Sequence, residues 1–560
     1  MASRSVCSLC LALAALVGCK KVSAPSQPAE LQRAATAALE WDALPSGAPY
    51  VPPQCYTKTQ DASGKVHNPC FTCHVDSPPP NYIKDGELQL AYAFSPPAQK
   101  NRWTNLFVDR RAVVAAISDA EILAYVREDN YAALAPRLSS PPAEWDRDRD
   151  GRWTGFVPDA AYHFDEDGFD RAADGTLTGW RAYTYFPLPG GFWPTNGSFG
   201  DALVRLPEPF RTDGAGKPSR EVYVANLAIL ESLIARRDVT IPELDERALE
   251  ADLDGDGKYA KATRVKFRWA PGGGGMSYVG MAKELREQLA VGLFPEGTEL
   301  IHSLRYLDVQ GGHVVRARRM KELRYMRKTK WLSFGYLETQ AMREAREKEI
   351  SPSKRRFMRG DAEQGISNDA GWRLQAFIED AQGALRPQTL EEHAFCIGCH
   401  SGVGATDDSV FSFGRKLGVE HPRLGWLDGD LSGIGEPKRA DGSGEYSHYL
   451  EQNGAGDELR ANDESLRDFF DGQGELRPER RQQLARDVSF LLLPSPGRAL
   501  TLNKAYRSIV LEQSFAKGRD ATILPVAHAH RELAEEPLPT GVEHVVAPRR
   551  AAPRFLASAP

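Results

Sequence analysis

The chain has 560 residues, of which 41% are hydrophobic and 26% charged, and its formal net charge is −6. Such a length accommodates about two to four domains with a sizeable core, and the composition is that of an ordinary globular protein. The charge is too small for a protein that grips nucleic acid, which is excluded as a partner.

Residues 1–18 read as a signal peptide. Arg4 precedes an apolar run from Val6 to Val17, and Leu16-Val17-Gly18-Cys19 sets a small residue before a cysteine. The run is short for a bilayer span, and no later stretch approaches one. This segment resembles a bacterial lipoprotein signal. The resemblance implies lipid modification of Cys19, loss of Cys7 and Cys10 with the discarded peptide, and export. With Lys20 after the cysteine, it also implies an outer-membrane anchor facing the periplasm or the cell surface. An ordinary signal peptide cut elsewhere is the alternative. Residues 19–45 are rich in Ser, Ala, Pro and Gln and form a flexible tether.

Residues 46–140 contain Cys70-Phe71-Thr72-Cys73-His74, the first of two C-x-x-C-H motifs. Two thiols one helical turn apart can form thioethers with the haem vinyl groups, and the next residue turns an imidazole onto the iron. A helix is expected over Ala120 to Ala135. Cys55, the mature thiol outside lipidation and haem attachment, reads as a buried inert one, with an axial ligand or an intermolecular disulfide as the alternatives.

Residues 141–345 are rich in Asp and Gly and read as a mixed α/β region. Asp146, Asp148 and Asp150, and again Asp252, Asp254 and Asp256, alternate as in a calcium loop, each series followed by Gly. Position 12, a bidentate Glu in an EF-hand, is Val157 or Thr263, so a calcium site here would be completed by a neighbouring segment; a solvated acidic turn is the alternative. Helices are expected over Arg220 to Arg237 and Met276 to Val291, and a hairpin over Leu300 to Arg318 around Gly311-Gly312. The basic stretch that follows, with Arg318, Arg319, Lys321, Arg324, Arg327, Lys328 and Lys330, reads as a solvated face. Its other reading is a contact for haem propionates or an acidic redox partner.

Residues 346–500 carry the second motif, Cys396-Ile397-Gly398-Cys399-His400, entered by a short helix from Glu391. A helix is expected over Pro478 to Leu493. Residues 501–560 give one more helix, Asn503 to Phe515, and a Pro- and Ala-rich tail.

Random placement of 8 Cys and 12 His yields roughly 0.002 such motifs per chain of this length, so two are not accidental. A C-x-x-C disulfide or half of a zinc site does not require the histidine. With these pentapeptides the chain resembles the c-type cytochromes of the bacterial envelope. The resemblance implies two covalent haems c, on Cys70, Cys73, Cys396 and Cys399, with His74 and His400 on the irons. It also implies electron transfer to envelope redox partners. The expected fold is α+β, mainly helical around the haems with the β-containing region between them. His67 and His393 extend both motifs to H-x-x-C-x-x-C-H. Each could ligate the other motif's haem from its distal side, or bond a propionate or the backbone. Other distal candidates are His448, His528, His530 and the methionines 276, 281, 320, 326, 342 and 358. A dihaem peroxidase or oxygenase with one open haem is the alternative function. A third is a structural envelope protein organised by calcium.

Overall fold

The computed structural model describes residues 50–533, apart from 60–68, 76–78, 82–93, 95, 147, 191–193, 271–273, 351–358, 412, 418–430, 440 and 454–461. Its principal elements begin with helices α1 (Asp119–Arg127) and α2 (Leu134–Ser139) and strands β1 (Phe169–Arg171), β2 (Leu177–Tyr183) and β3 (Phe199–Arg205). Helix α3 (Arg220–Ala235) follows, then β4 (Val239–Asp245), β5 (Lys261–Val265), β6 (Glu299–Gln310), β7 (His313–Lys328) and α4 (Phe334–Ile350). The chain continues through β8 (Arg359–Asp361), β9 (Gly365–Ser367), β10 (Trp372–Glu379), β11 (Leu385–Pro387), α5 (Leu390–Ile397) and α6 (Pro496–Glu512).

Nine of these strands form one antiparallel sheet in the order β1-β2-β3-β6-β7-β10-β9-β8, with β11 alongside β10. Its longest pairing is the β6–β7 hairpin. Gly311 and Gly312 take φ of +57° and +82°, and Gln310 faces His313 across them. A two-residue turn of this hand matches strand twist and demands positive φ at both positions, which glycine adopts without strain. The hairpin is where the sequence places it, but β7 runs on to Lys328.

One face of the central strands, with Val204, Leu300, Met326 and Leu374, packs against α3, Leu390 and Cys396. The other face, with Leu203, Ile301, Leu323 and Phe377, packs against Leu134, Leu138 and Trp145. Further along, α1 and α6 enclose Tyr306 and Ile378.

The expectation of mainly helical haem regions is overturned: the molecule is about 34% helix and 21% strand, and the sheet organises it. The second motif's own region supplies β8 to β11. Strand β10 hid itself because it is buried on both faces and carries Arg373, Gln375 and Glu379, which erases the alternation expected of a strand. The basic stretch is not a solvated face either; Arg319, Lys321 and Lys328 of β7 are buried. The helix expected over Ala120 to Ala135 breaks into α1 and α2 around Asn130, whose amide donates to the carbonyls of Met320 and Gly383 at 2.8 and 3.1 Å. Met276 to Val291 contains only the short turns Gly280–Glu284 and Arg286–Gln288, and Pro478 to Leu493 splits into Pro478–Leu484 and Ser489–Leu492.

Candidate functional site

Both motifs fold into the same turn. In the first, which begins in the 3-10 turn Pro69–Thr72, the Cys73 and His74 amides donate to the Cys70 carbonyl at 3.2 and 2.9 Å. In the second, at the end of α5, those of Cys399 and His400 donate to the Cys396 carbonyl at 3.2 and 2.9 Å. Helix α5 starts on a capping box in which Glu392 N–H donates to Thr389 Oγ1 (3.2 Å) and Thr389 N–H donates to the Glu392 carboxylate (2.8 Å). This cap sets where the second motif begins.

The two motifs, more than 300 residues apart in sequence, meet. Ala405 N–H donates to the Cys73 carbonyl at 3.1 Å, and the Asn81 amide donates to the carbonyls of Val403 and Thr406, both at 3.4 Å. Tyr50 and Pro52 press on Gly398, where an added Cβ would lie 2.9 Å from the tyrosine ring and 2.8 Å from the proline. Tyr50 and Trp103 set their rings edge-on to Phe395 of α5 at 6.0 and 5.5 Å. Burial, with Cys70, Cys73 and Cys399 nearby, pushes the Cys55 thiol well up, so it stays protonated and weakly nucleophilic.

The two motif histidines are neutral at ordinary pH, because burial brings each down to about 4. A neutral imidazole is the form that ligates a metal. His400 Nδ1 sits 2.9 Å from the Ser409 carbonyl, so it carries the proton and Nε2 is the nitrogen that could ligate a metal. Ser409 and Asp408 take φ of +64° and +49°, in the left-handed region. Lys328 Nζ secures this bend by donating to both Asp408 carboxylate oxygens at 2.7 and 2.8 Å, with both side chains fully buried.

Opposite the second motif, the apolar sheet face is interrupted by polar groups. Ala202, His302, Arg324 and Ala376 follow one another across β3, β6, β7 and β10. Glu322 accepts from Arg324 at 3.0 Å and from Arg519 at 2.8 Å, and Arg519 also lies over the Phe395 ring. Burial opposes the charge of Glu322, but the two arginines outweigh it and bring the carboxyl down to about 2. Two guanidiniums thus share one carboxylate, and both lie over the ring of Phe395, the residue before Cys396. Tyr185 Oη lies 3.1 Å from His302 Nε2.

A family described as "-like lipoprotein" matches residues 43–487. The chain belongs to this lipoprotein family. An uncharacterized lipoprotein of Aquifex aeolicus (strain VF5) is 31% identical over 540 residues, which is 84% of this chain and 85% of the relative. No solved structure matches. The resemblance to the c-type cytochromes is therefore corrected at the level of family, since the match is to a lipoprotein family and not to a cytochrome or haem-binding one. Two pentapeptides carry no information about the fold around them. The lipoprotein is exported and membrane-anchored. No helix among the described residues is long and apolar enough to cross a membrane.

Cys19 and His67 of the lipoprotein lie outside the described residues. His393 lies within them, and both its ring nitrogens are engaged: Nε2 accepts from Ala376 N–H at 2.9 Å, and Nδ1 pairs with the Thr389 carbonyl at 3.0 Å. It pins α5 to β10 and does not reach toward the first motif. Of the other distal candidates, Met320 and Met326 are core residues, and His528 and His530 lie on the segment running beside Tyr56 and Thr57. His302 escaped the sequence reading because it sits inside a strand with no motif around it.

Among the described residues, no three cysteine or histidine ligands of the lipoprotein gather as at a zinc site; the two groups of that kind are acidic. Asp146, Asp148 and Asp150 converge as expected. In the second loop Glu246 joins Asp252 and Asp254, whereas Asp256 stays outside and accepts from Lys258 N–H at 2.7 Å. The Arg268 guanidinium is 3.2 Å from Asp252, where it competes with a cation for that carboxylate.

Proposed function

We propose that the lipoprotein carries electrons at the cell envelope through two haems held covalently by its two C-x-x-C-H motifs. The observation that carries this reading is the meeting of the motifs, in matching turns, through Ala405 N–H and the Cys73 carbonyl. Two redox groups in one joint region form a relay, which two distant ones would not.

Each thiol of Cys70, Cys73, Cys396 and Cys399 adds across a vinyl C=C. Sulfur bonds one carbon and the hydrogen ends on the other, with no net oxidation. His74 and His400, neutral and half-buried, would hold the irons. Arg324 and Arg519, sharing the single Glu322 carboxylate, supply the excess positive charge that a haem propionate balances. The bound haem supplies reversible one-electron chemistry, and its burial and proximal hydrogen bonds set the potential. Lys20 after the lipidated Cys19 favours the outer membrane, where the partners are envelope redox proteins.

The test is a pyridine haemochrome count on the lipoprotein purified from membranes of a host that matures c-type haem. Two covalent haems per chain are expected, and one each in Cys70→Ala/Cys73→Ala and Cys396→Ala/Cys399→Ala. Fewer than two in the unmutated protein would sink the reading.

A further inference from the structure

The two aspartate loops share the pattern D-x-D-x-D-G, but the fold treats them differently. In the second loop each carboxylate is already served. Glu246 accepts from Leu253 N–H at 2.6 Å and from Ala260 N–H at 2.9 Å, one on each oxygen. Asp254 accepts from Asp256 N–H at 3.1 Å and Asp252 from Gly255 N–H at 2.7 Å, and the Arg268 guanidinium brings Asp252 its positive charge. The first loop has no such balance. One carboxylate oxygen from each of Asp146, Asp148 and Asp150 lies within 4.8 Å of the others, and no lysine or arginine among the described residues pairs with any of the three. Asp146 is only 4% exposed. Its Oδ2 accepts from Gly151 N–H at 2.6 Å, whereas its Oδ1, shut off from solvent, has no hydrogen-bond partner among the described residues. A buried carboxylate oxygen without a donor is strongly unfavourable, and two further carboxylates beside it add repulsion. A hard divalent cation removes both costs, because carboxylate oxygens are its preferred ligands. Both ends of the loop are held by the fold. Trp145 is buried with Leu134 and Leu138 and lies under the Arg137 guanidinium at 4.4 Å, while Thr154 N–H and Oγ1 donate to Glu363 at 2.7 and 2.6 Å and Phe156 stacks on Tyr325 of β7 at 3.7 Å.

We propose that Asp146, Asp148 and Asp150 bind one calcium ion and that the second loop binds none. The pattern is equal in both loops and cannot make this distinction; the buried, unpartnered Oδ1 of Asp146 and the Arg268 guanidinium on Asp252 make it. With three carboxylates, and Val157 where an EF-hand has its bidentate Glu, carbonyl oxygens and water fill the remaining positions. The affinity then lies at the weak end, with a dissociation constant on the order of 0.1 to 1 mM, the range of calcium modules outside the cell. Magnesium, which demands near-octahedral geometry and parts reluctantly with its water, binds more weakly still. The haems take no part in this site.

The test is equilibrium dialysis of the full-length lipoprotein in detergent, stripped of divalent ions with a chelator, against calcium from about 0.01 to 10 mM. One bound ion per chain is expected. Asp146→Asn and Asp148→Asn should each weaken binding about ten-fold or more, and Asp252→Asn should leave it unchanged. Calcium should also raise the melting temperature of the unmutated protein and of Asp252→Asn, but not that of Asp148→Asn, because an ion that binds only the folded chain stabilises it. Asp148 is exposed, so its variant decides the question even where Asp146→Asn misfolds. No bound calcium at the upper end of the titration, an undiminished affinity in Asp148→Asn, or loss of binding in Asp252→Asn would overturn the site.

Discussion

At the scale of single residues, the second motif depends on groups that no motif contains. His400 is oriented by the Ser409 carbonyl, Ser409 lies on a left-handed bend, and the bend is fixed by the buried pair of Lys328 and Asp408. Removing one member of such a pair leaves an uncompensated charge in the interior. Lys328→Met is expected to cost roughly 3 to 5 kcal/mol, and Lys328→Met/Asp408→Leu to recover part of it because no buried charge is then orphaned. Urea denaturation of the three proteins checks this; a single variant as stable as the unmutated chain would contradict it. Sequence reasoning could read His400 as a ligand from its place after Cys399. It could not read Ser409, because a carbonyl carries no side-chain signature, nor Lys328, which lies among basic residues that resemble a surface stretch.

At the scale of elements, β7 and β10 carry ionisable groups into the core. Burial pushes the Glu379 carboxyl up to about 7, even though Tyr125, Tyr306, Arg319 and Arg507 favour its charge. Burial brings Lys321 down to about 7 against the pull of Glu379 and Glu322. The two act on stability in opposite windows. From about pH 4.5 to 7 the folded chain holds a proton on Glu379 that the unfolded chain has lost, so stability falls as pH rises. From about pH 7 to 10.5 the unfolded chain holds a proton on Lys321 that the folded chain has lost, so stability rises. This cluster therefore contributes a stability minimum near pH 7, on the order of 1 to 3 kcal/mol deep. Glu379→Gln should remove the acid arm and Lys321→Met the alkaline arm, read as melting temperature against pH. A monotonic profile unaffected by either substitution would refute the assignment. The hairpin turn was legible here, because Gly311-Gly312 acts through neighbours in sequence. The strands themselves were partly hidden, because burial on both faces removes the period that distinguishes strand from helix.

At the scale of the whole molecule, the two motifs come together because the chain between them builds the sheet and returns α5 to its face, where Tyr50 and Pro52 close over Gly398. Gly398→Ala forces a Cβ within 3 Å of both and should destabilise the joint region by about 1 to 3 kcal/mol. The same substitution at Gly402, where the nearest atom is 3.6 Å away, should be nearly neutral. Equal melting temperatures for the two variants would show that the closure over the second motif does not matter. By itself the sequence determined what is local: the spacing of the thiols and the imidazole, the lipoprotein signal and the two-glycine turn. Only the tertiary structure decided that the motifs meet, that His393 serves the backbone, and that Tyr185 pairs with His302. The reason is physical. Local chemistry depends on residues a turn apart, whereas these contacts depend on the register of long antiparallel strands and on burial, which are set jointly by residues hundreds of positions apart.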